Sequence, residues 1–236
     1  MKKYEDDGKT LNQMYKSHDN VWIIGNGFDL ACKLNTKFWA FIDFYLFQDT
    51  NDPDISLFKK RIKENKEEWY DVERQLGQDT VNFDTIEIYE KCHNDLKTHL
   101  YDYIRKGEAD SNPTYSDVDK YFEDIDIDNT LFIVLNYTQN FENFIKQKYP
   151  NTQPQIVYPH GSIVSGNITV GIGGRPVTSE NIKNLKFLDD EEFHAKFVKE
   201  SMSSYVDEIK SLDFDIPKNI NIYGASISLN DGFYGL

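Results

Sequence analysis

The sequence predicts an α/β fold in which a mostly parallel sheet is interrupted by a helical insertion. Three observations carry this prediction. Short apolar, β-rich runs stop at glycine-rich or polar turns, and segments with helical spacing separate those runs. A length of 236 residues suits one sizeable domain carrying an insertion and is tight for two. At 39% hydrophobic and 28% charged, the chain lies in the range of folded globular proteins, so it is not a disordered polymer.

Residues 1 to 20 are polar and lack a sustained apolar face, which makes them an extension ahead of a single domain at 21 to 236. Val21 to Ile24 is a short apolar run ending abruptly at Gly25-Asn26-Gly27, the pattern of a buried strand meeting a tight turn. Thr36 to Phe47 is densely apolar and aromatic, and long enough for a buried helix. The insertion occupies about 52 to 125. Within it Ile86, Tyr89, His93, Leu96, Leu100 and Tyr103 recur at spacings of three and four, the period of an amphipathic helix. Gly107 to Pro113 breaks that pattern, Ser116 to Glu123 suits one more short helix, and Asp124 to Asn129 is an acidic turn. Leu131 to Leu135 is the second clear strand. Gln155 to Tyr158, Ile168 to Val170 and Ile220 to Tyr223 follow as strands, with helical spacing at Asp189 to Ile209.

A formal net charge of -14 disfavours a protein that tracks nucleic-acid phosphates, because that affinity comes from Lys and Arg. No apolar run approaches the roughly 18 to 20 residues that cross a bilayer, and the N-terminus lacks the apolar region of a signal peptide. A cytoplasmic protein with no membrane or direct nucleic-acid partner is expected. Cys32 and Cys92 stand far apart without any Cys/His metal spacing, so two buried free thiols are expected rather than a disulfide or a zinc site.

Five constellations are suited to chemistry. Gly25-Asn26-Gly27-Phe28-Asp29 lies between a predicted strand and a helix, where glycines let backbone approach a ligand such as a dinucleotide pyrophosphate. A bare strand-to-helix turn has the same spacing. Asn136-Tyr137-Thr138-Gln139-Asn140-Phe141-Glu142 begins where the second strand ends, the edge at which α/β sheets handle ligands. Asn136 is its functional candidate, whereas helix capping is the plainer reading of Thr138. His160, in Tyr158-Pro159-His160-Gly161-Ser162, is the one histidine at a glycine-flanked strand end. Gly171-Ile172-Gly173-Gly174-Arg175 offers backbone access beside a cation, or a surface turn. Tyr223-Gly224-Ala225-Ser226, with Asp231 beyond, runs a last strand into small residues; Ser226 suits a ribose or phosphate contact, or a helix cap.

These residues resemble the AbiH (abortive infection H) family of phage-defence proteins, whose pattern is a GNGFD turn, an NYT segment followed by Glu, an HG and a late GxS. Here they are Gly25 to Asp29, Asn136 to Thr138 with Glu142, His160-Gly161, and Gly224 to Ser226. Trp69 and Glu73 resemble the family's Trp-x-x-x-Glu feature. The same order is similar to the sirtuin-like NAD-binding fold, a Rossmann-like architecture. Asn136 takes the place of its Asn, His160 that of its catalytic His, and Ser226 that of its late Ser. Thr138 stands where sirtuins carry Asp, a departure that agrees with AbiH and tells against deacylase chemistry. Sirtuin deacylases also carry a four-Cys zinc module, which two distant cysteines cannot build.

The resemblance implies an NAD hydrolase that depletes NAD+ as a toxic effector of antiphage defence, releasing nicotinamide and ADP-ribose. Cleavage through an oxocarbenium-like state needs chiefly an oriented ribose and an activated water. Asn136 would position ribose or water. His160 would be the general base, imidazole having an ordinary pKa near 6.5. Gly25, Asn26, Gly27, Phe28, Asp29, Thr138, Gly161, Gly173 and Ser226 would hold the dinucleotide, with NAD+ as substrate and neither metal nor prosthetic group required. The alternative is a regulatory subunit of a defence complex that holds NAD or ADP-ribose without turnover. Both related families usually continue through further elements around the adenosine. A homo-oligomer, or a complex with a regulatory or sensor protein, is therefore the expected setting.

Overall fold

The computed structural model describes residues 18–171, 186–187, 190–197 and 218–225. These divide into two compact units, one of residues 18–36, 104–168 and 218–225, the other of residues 37–103, 169–171, 186–187 and 190–197.

The first unit is built on a four-stranded sheet in which every pairing is parallel. Its strands are β1 (Asn20–Ile24), β2 (Thr130–Val134), β3 (Gln155–Val157) and, last among the described residues, a strand at Asn219–Tyr223, here β6. The order across the sheet is β3-β2-β1-β6. The register sets Ile24 beside both Val134 and Tyr223, and Ile133 beside Val157. Every residue of β2 is buried, which explains its uninterrupted apolar run: a strand inside a parallel sheet is covered on both faces. Chain order steps from β1 through β2 to β3 on one side and returns to the other side of β1 for β6. The direction of winding therefore reverses between β1 and β6. All four strands run the same way, so Gly25, Leu135, Tyr158 and Gly224 emerge at one edge of the sheet.

Helices α1 (Gly27–Ala31) and α6 (Asn140–Lys148) belong to this unit. Phe28, Phe122, Phe132, Phe141 and Phe144 fill its core. Phe28 meets Phe122 and Phe141 edge-on at centroid distances of 5.8 and 5.1 Å, the arrangement that aromatic quadrupoles favour. The short helix expected at Ser116 to Glu123 is a single 3-10 turn, Asp119–Phe122. The strand expected at Ile168 to Val170 does not join the parallel sheet. Its start, β5 (Asn167–Ile168), pairs antiparallel with β4 (Gly161–Ser162) in a separate hairpin.

The second unit is helical: α2 (Phe38–Phe47), α3 (Pro53–Glu64), α4 (Val72–Gln78), most of α5 (Ile86–Ala109) and α7 (Glu191–Phe197). Asp52 caps α3 by accepting from the Asp54 and Ile55 amides, with Pro53 in the first turn, where its missing N–H costs nothing. The apolar face of α5 that the sequence predicted is buried at Tyr89, Leu96 and Leu100. Helix α2 is only partly buried. Phe41, Ile42 and Tyr45 face inward, while Phe47 is 87% exposed. Of the helix expected at Asp189 to Ile209, residues 198–209 lie outside the described residues. Cys32 and Cys92 are free and buried.

Candidate functional site

The turn after β1 is clasped by the turn after β6. The Gly25 amide donates to the Tyr223 carbonyl at 2.9 Å, and the Gly27 amide to the Gly224 carbonyl at 2.7 Å. A Cβ on Gly25 would lie 2.4 Å from Ala225 Cα, and one on Gly27 would lie 2.6 Å from Gly224 Cα. Gly224 itself has φ +65°, and its Cβ would meet the Phe28 nitrogen at 2.4 Å. Two backbones cross here without room for a side chain, which is what glycine permits. Asn26 is likewise engaged, its Nδ2 donating to the Thr36 carbonyl (3.0 Å) and its Oδ1 accepting from the Thr36 hydroxyl (2.6 Å). Phe28, expected among the ligand-binding residues, is fully buried in the core. The GxG spacing thus has a complete account in chain crossing, set by a strand about 200 residues away that the local sequence does not display.

Asp29 faces inward at the same turn and is 1% exposed. Its Oδ2 accepts from the Thr138 hydroxyl at 2.7 Å and its Oδ1 from Asn140 Nδ2 at 3.0 Å. Asn140 Oδ1 accepts in turn from the Tyr115 hydroxyl at 3.1 Å. Thr138 therefore does not cap α6. The cap position is Gln139, whose side chain makes no capping bond and whose amide donates to Glu108 Oε1 at 2.8 Å. Burial pushes the Asp29 carboxyl up to about 6. The bonds from Thr138 and Asn140 and the nearby Asn136 carboxamide oppose that rise, and the Glu108 charge adds to it. Burial also raises the pKa of Glu108, against the stabilising Gln139 amide.

Asn136 is 4% exposed, and neither Nδ2 nor Oδ1 has a hydrogen-bond partner. It lies near enough to Asp29 to influence that carboxyl, but no bond of normal geometry joins them. The backbone beside it is fixed on both sides. The Leu135 amide donates to the Ile24 carbonyl (2.8 Å), and the Tyr137 carbonyl accepts from the Ile163 amide (2.9 Å). A buried polar group without a partner costs about 1–3 kcal/mol, so folded proteins rarely keep one without a use.

His160 follows β3, half-buried, with its ring 6.5 Å from that of Tyr137 between centroids. Gly161, expected to touch the ligand, has φ +73°, and a Cβ there would lie 2.0 Å from the Asn167 carbonyl oxygen. The β4–β5 hairpin accounts for its need for glycine. Glu142 accepts from the Tyr158 hydroxyl (3.3 Å) and from Lys146 Nζ (2.6 Å). The structure thus gathers Asp29, Asn136 and Thr138 and adds Asn140, Glu108 and Tyr115, which sequence reasoning did not single out. Asn140 was discoverable as part of the dense polar segment after β2. Glu108 and Tyr115 carry no local signal. Gly173, Arg175, Ser226 and Asp231 lie outside the described residues.

Among the described residues no group of three or more His, Cys, Asp or Glu could hold a metal ion, and no helix is long and apolar enough to cross a membrane. The model of one family, described as bacteriophage abortive infection AbiH, matches residues 21–234. No curated protein and no solved structure matches the chain.

Proposed function

Because this chain belongs to the bacteriophage abortive infection AbiH family, its role at family level is phage defence, and we propose that the chemistry behind that role is hydrolysis of NAD+ to nicotinamide and ADP-ribose. The observation that carries this reading is Asn136. A buried carboxamide with both polar atoms unpaired, at the carboxyl edge of a parallel sheet, is a group kept for a ligand. The winding reversal between β1 and β6 supports a Rossmann-like, sirtuin-like reading of the sheet, since ligands of such sheets bind outside the carboxyl ends of the strands.

In the reaction the bond between the ribose C1′ and the nicotinamide nitrogen breaks, and its electron pair leaves with nicotinamide. Water adds to C1′ and gives up one proton, which His160 accepts. Asn136 holds the ribose or that water, so the reacting atoms meet without a search. The glycines of the first turn act indirectly, by closing the sheet that aligns the strand ends. Acting in defence, the enzyme works in the cytoplasm, within an oligomer or beside a regulatory or sensor protein.

The test is to incubate the purified protein, alone and with its neighbours, with NAD+ and to identify the products. Nicotinamide and ADP-ribose in equal amounts, lost in both Asn136→Ala and His160→Ala, are expected. Soluble His160→Ala protein with near-normal turnover would remove the proposed base. NAD+ binding without any product would assign a regulatory binding subunit instead.

A further inference from the structure

Asp29 is as enclosed as Asn136 but differs from it in that its carboxyl already has partners. Both of its oxygens are occupied, Oδ2 by the Thr138 hydroxyl at 2.7 Å and Oδ1 by Asn140 Nδ2 at 3.0 Å. Those donors lie two and four residues after Asn136, so the carboxylate grips the segment that presents the unpaired carboxamide. The grip spans 109 and 111 residues of sequence and ties the turn after β1 to the segment after β2. A second carboxylate, Glu108 Oε1, accepts the Gln139 amide from the same stretch at 2.8 Å. Tyr115 fixes the amide orientation of Asn140, because its hydroxyl donates to Oδ1 and leaves Nδ2 for Asp29.

We propose that Asp29 is a positioning residue whose ionised carboxylate holds residues 136–140 in the arrangement that presents Asn136, and that protonation of Asp29 releases this hold and switches the site off. The inference rests on the reading of Asn136 as the ligand-binding group. A carboxylate accepts charge-assisted bonds from both donors, whereas the neutral acid makes weaker neutral ones: a proton on Oδ1 opposes the Asn140 donor, and a proton on Oδ2 reverses the Thr138 bond so that its hydroxyl oxygen accepts. Burial is the largest influence on Asp29, and the bonds from Thr138 and Asn140 and the nearby Asn136 oppose it. Glu108 on α5 repels its negative charge, Cys32 after α1 and Tyr115 and Tyr158 feel that charge in turn, and burial favours the acid. These bring the change near pH 6, within a cell's reach.

The experiment follows the side-chain amide signals of Asn136 and Asn140 by NMR in the full 15N-labelled chain, from pH 5 to pH 7.5, with assignments from Asn136→Asp and Asn140→Asp. Both signals should move together with a midpoint near 6 and stay flat in Asp29→Asn. Thr138→Val removes one bond that favours the carboxylate and should raise the midpoint by about one pH unit, which keeps the test decisive if Asp29→Asn does not fold. In turnover assays Asp29→Asn should lower kcat about tenfold or more, leave KM for NAD+ within about twofold and lose the acid limb of the pH profile. Signals that are flat in the wild type, or that titrate unchanged in Asp29→Asn, overturn the proposal. If the signals titrate as expected while the wild type neither binds nor cleaves NAD+, the hydrolase reading fails and the Asp29 hold stands.

Discussion

Replacing Asp29 by Asn should make the protein more stable at neutral and alkaline pH, an unusual outcome for a buried, doubly hydrogen-bonded residue. Burial moves this carboxyl from its ordinary 3.8 up to about 6 in the folded protein. Two pH units at about 1.4 kcal/mol each give about 3 kcal/mol. The folded pKa lies above the unfolded one, so between them the folded state binds more protons and stability falls as pH rises. The favourable contribution is complete below about 3.8 and is lost by the time pH passes 6. The carboxamide of the Asp29→Asn variant carries no charge and escapes this loss. It keeps the Asn140 bond through its carboxamide oxygen and meets Thr138 only by reversing that bond, its NH2 donating to the hydroxyl oxygen, at a cost of about 1–2 kcal/mol. The net expectation is a variant more stable than wild type by about 1–2 kcal/mol near pH 8, and less stable by a similar amount near pH 4. Urea unfolding of both proteins at each pH measures the two differences. A wild-type advantage of the same size at both pH values would refute the argument, because the carboxyl would then not be suffering from burial.

Asn136→Leu should leave the fold intact and raise stability by about 1 kcal/mol, since it removes two unpaired buried atoms while nearly keeping volume, yet it should abolish NAD+ turnover; a destabilised variant in thermal unfolding would mean that the carboxamide has partners in solution. Gly25→Ala should lower stability by about 3 kcal/mol or more, because its Cβ would lie 2.4 Å from Ala225 Cα; a stable variant that has lost only NAD+ affinity would return this turn to the ligand. Tyr115→Phe frees the Asn140 amide to turn over and should shift the pH midpoint of turnover while costing about 1 kcal/mol of stability; an unchanged pH profile would show that Asn140 is oriented without it.

β1 and β2 were legible because they carry short, mostly buried apolar runs, whereas β6 alternates Asn and Ile and has no buried residue. Residues 131–134 of β2 are apolar and fully enclosed, and β1 stops at Gly25. Pairing partners were not legible. Nothing near Gly25 announces that Tyr223 and Gly224 will accept its turn's amides, so the spacing resembled a ligand cradle. Thr138 was misjudged for the same reason. A hydroxyl just before a helix caps it by default, and only the fold supplies a buried carboxylate 109 residues away as the better acceptor. Ile168 carried the apolar signature of a strand correctly, but periodicity does not say which sheet a strand joins.

The two glycine-bearing turns and the segment after β2 differ in how fully their polar groups are satisfied, and that difference is the ground for proposing a ligand at β2. Around Gly25 and Gly27 both glycine amides are bonded, and the Asn26 side chain is closed on Thr36. Nothing described there waits for a partner. Around Asn136 the reverse holds: two buried polar atoms are unpaired, and the adjacent carboxyl is ionised at neutral pH against its surroundings. Selection for stability alone would have replaced Asn136 with Leu and Asp29 with Asn, both within reach of the same backbone. Costs that persist in an otherwise satisfied core are of the kind that ligand binding offsets, which is why the proposed site is put against β2. Measuring Asn136→Leu beside Gly25→Ala separates the two sites. Function lost with stability gained at Asn136, and stability lost at Gly25, place the ligand at β2; the opposite pairing places it at the first turn.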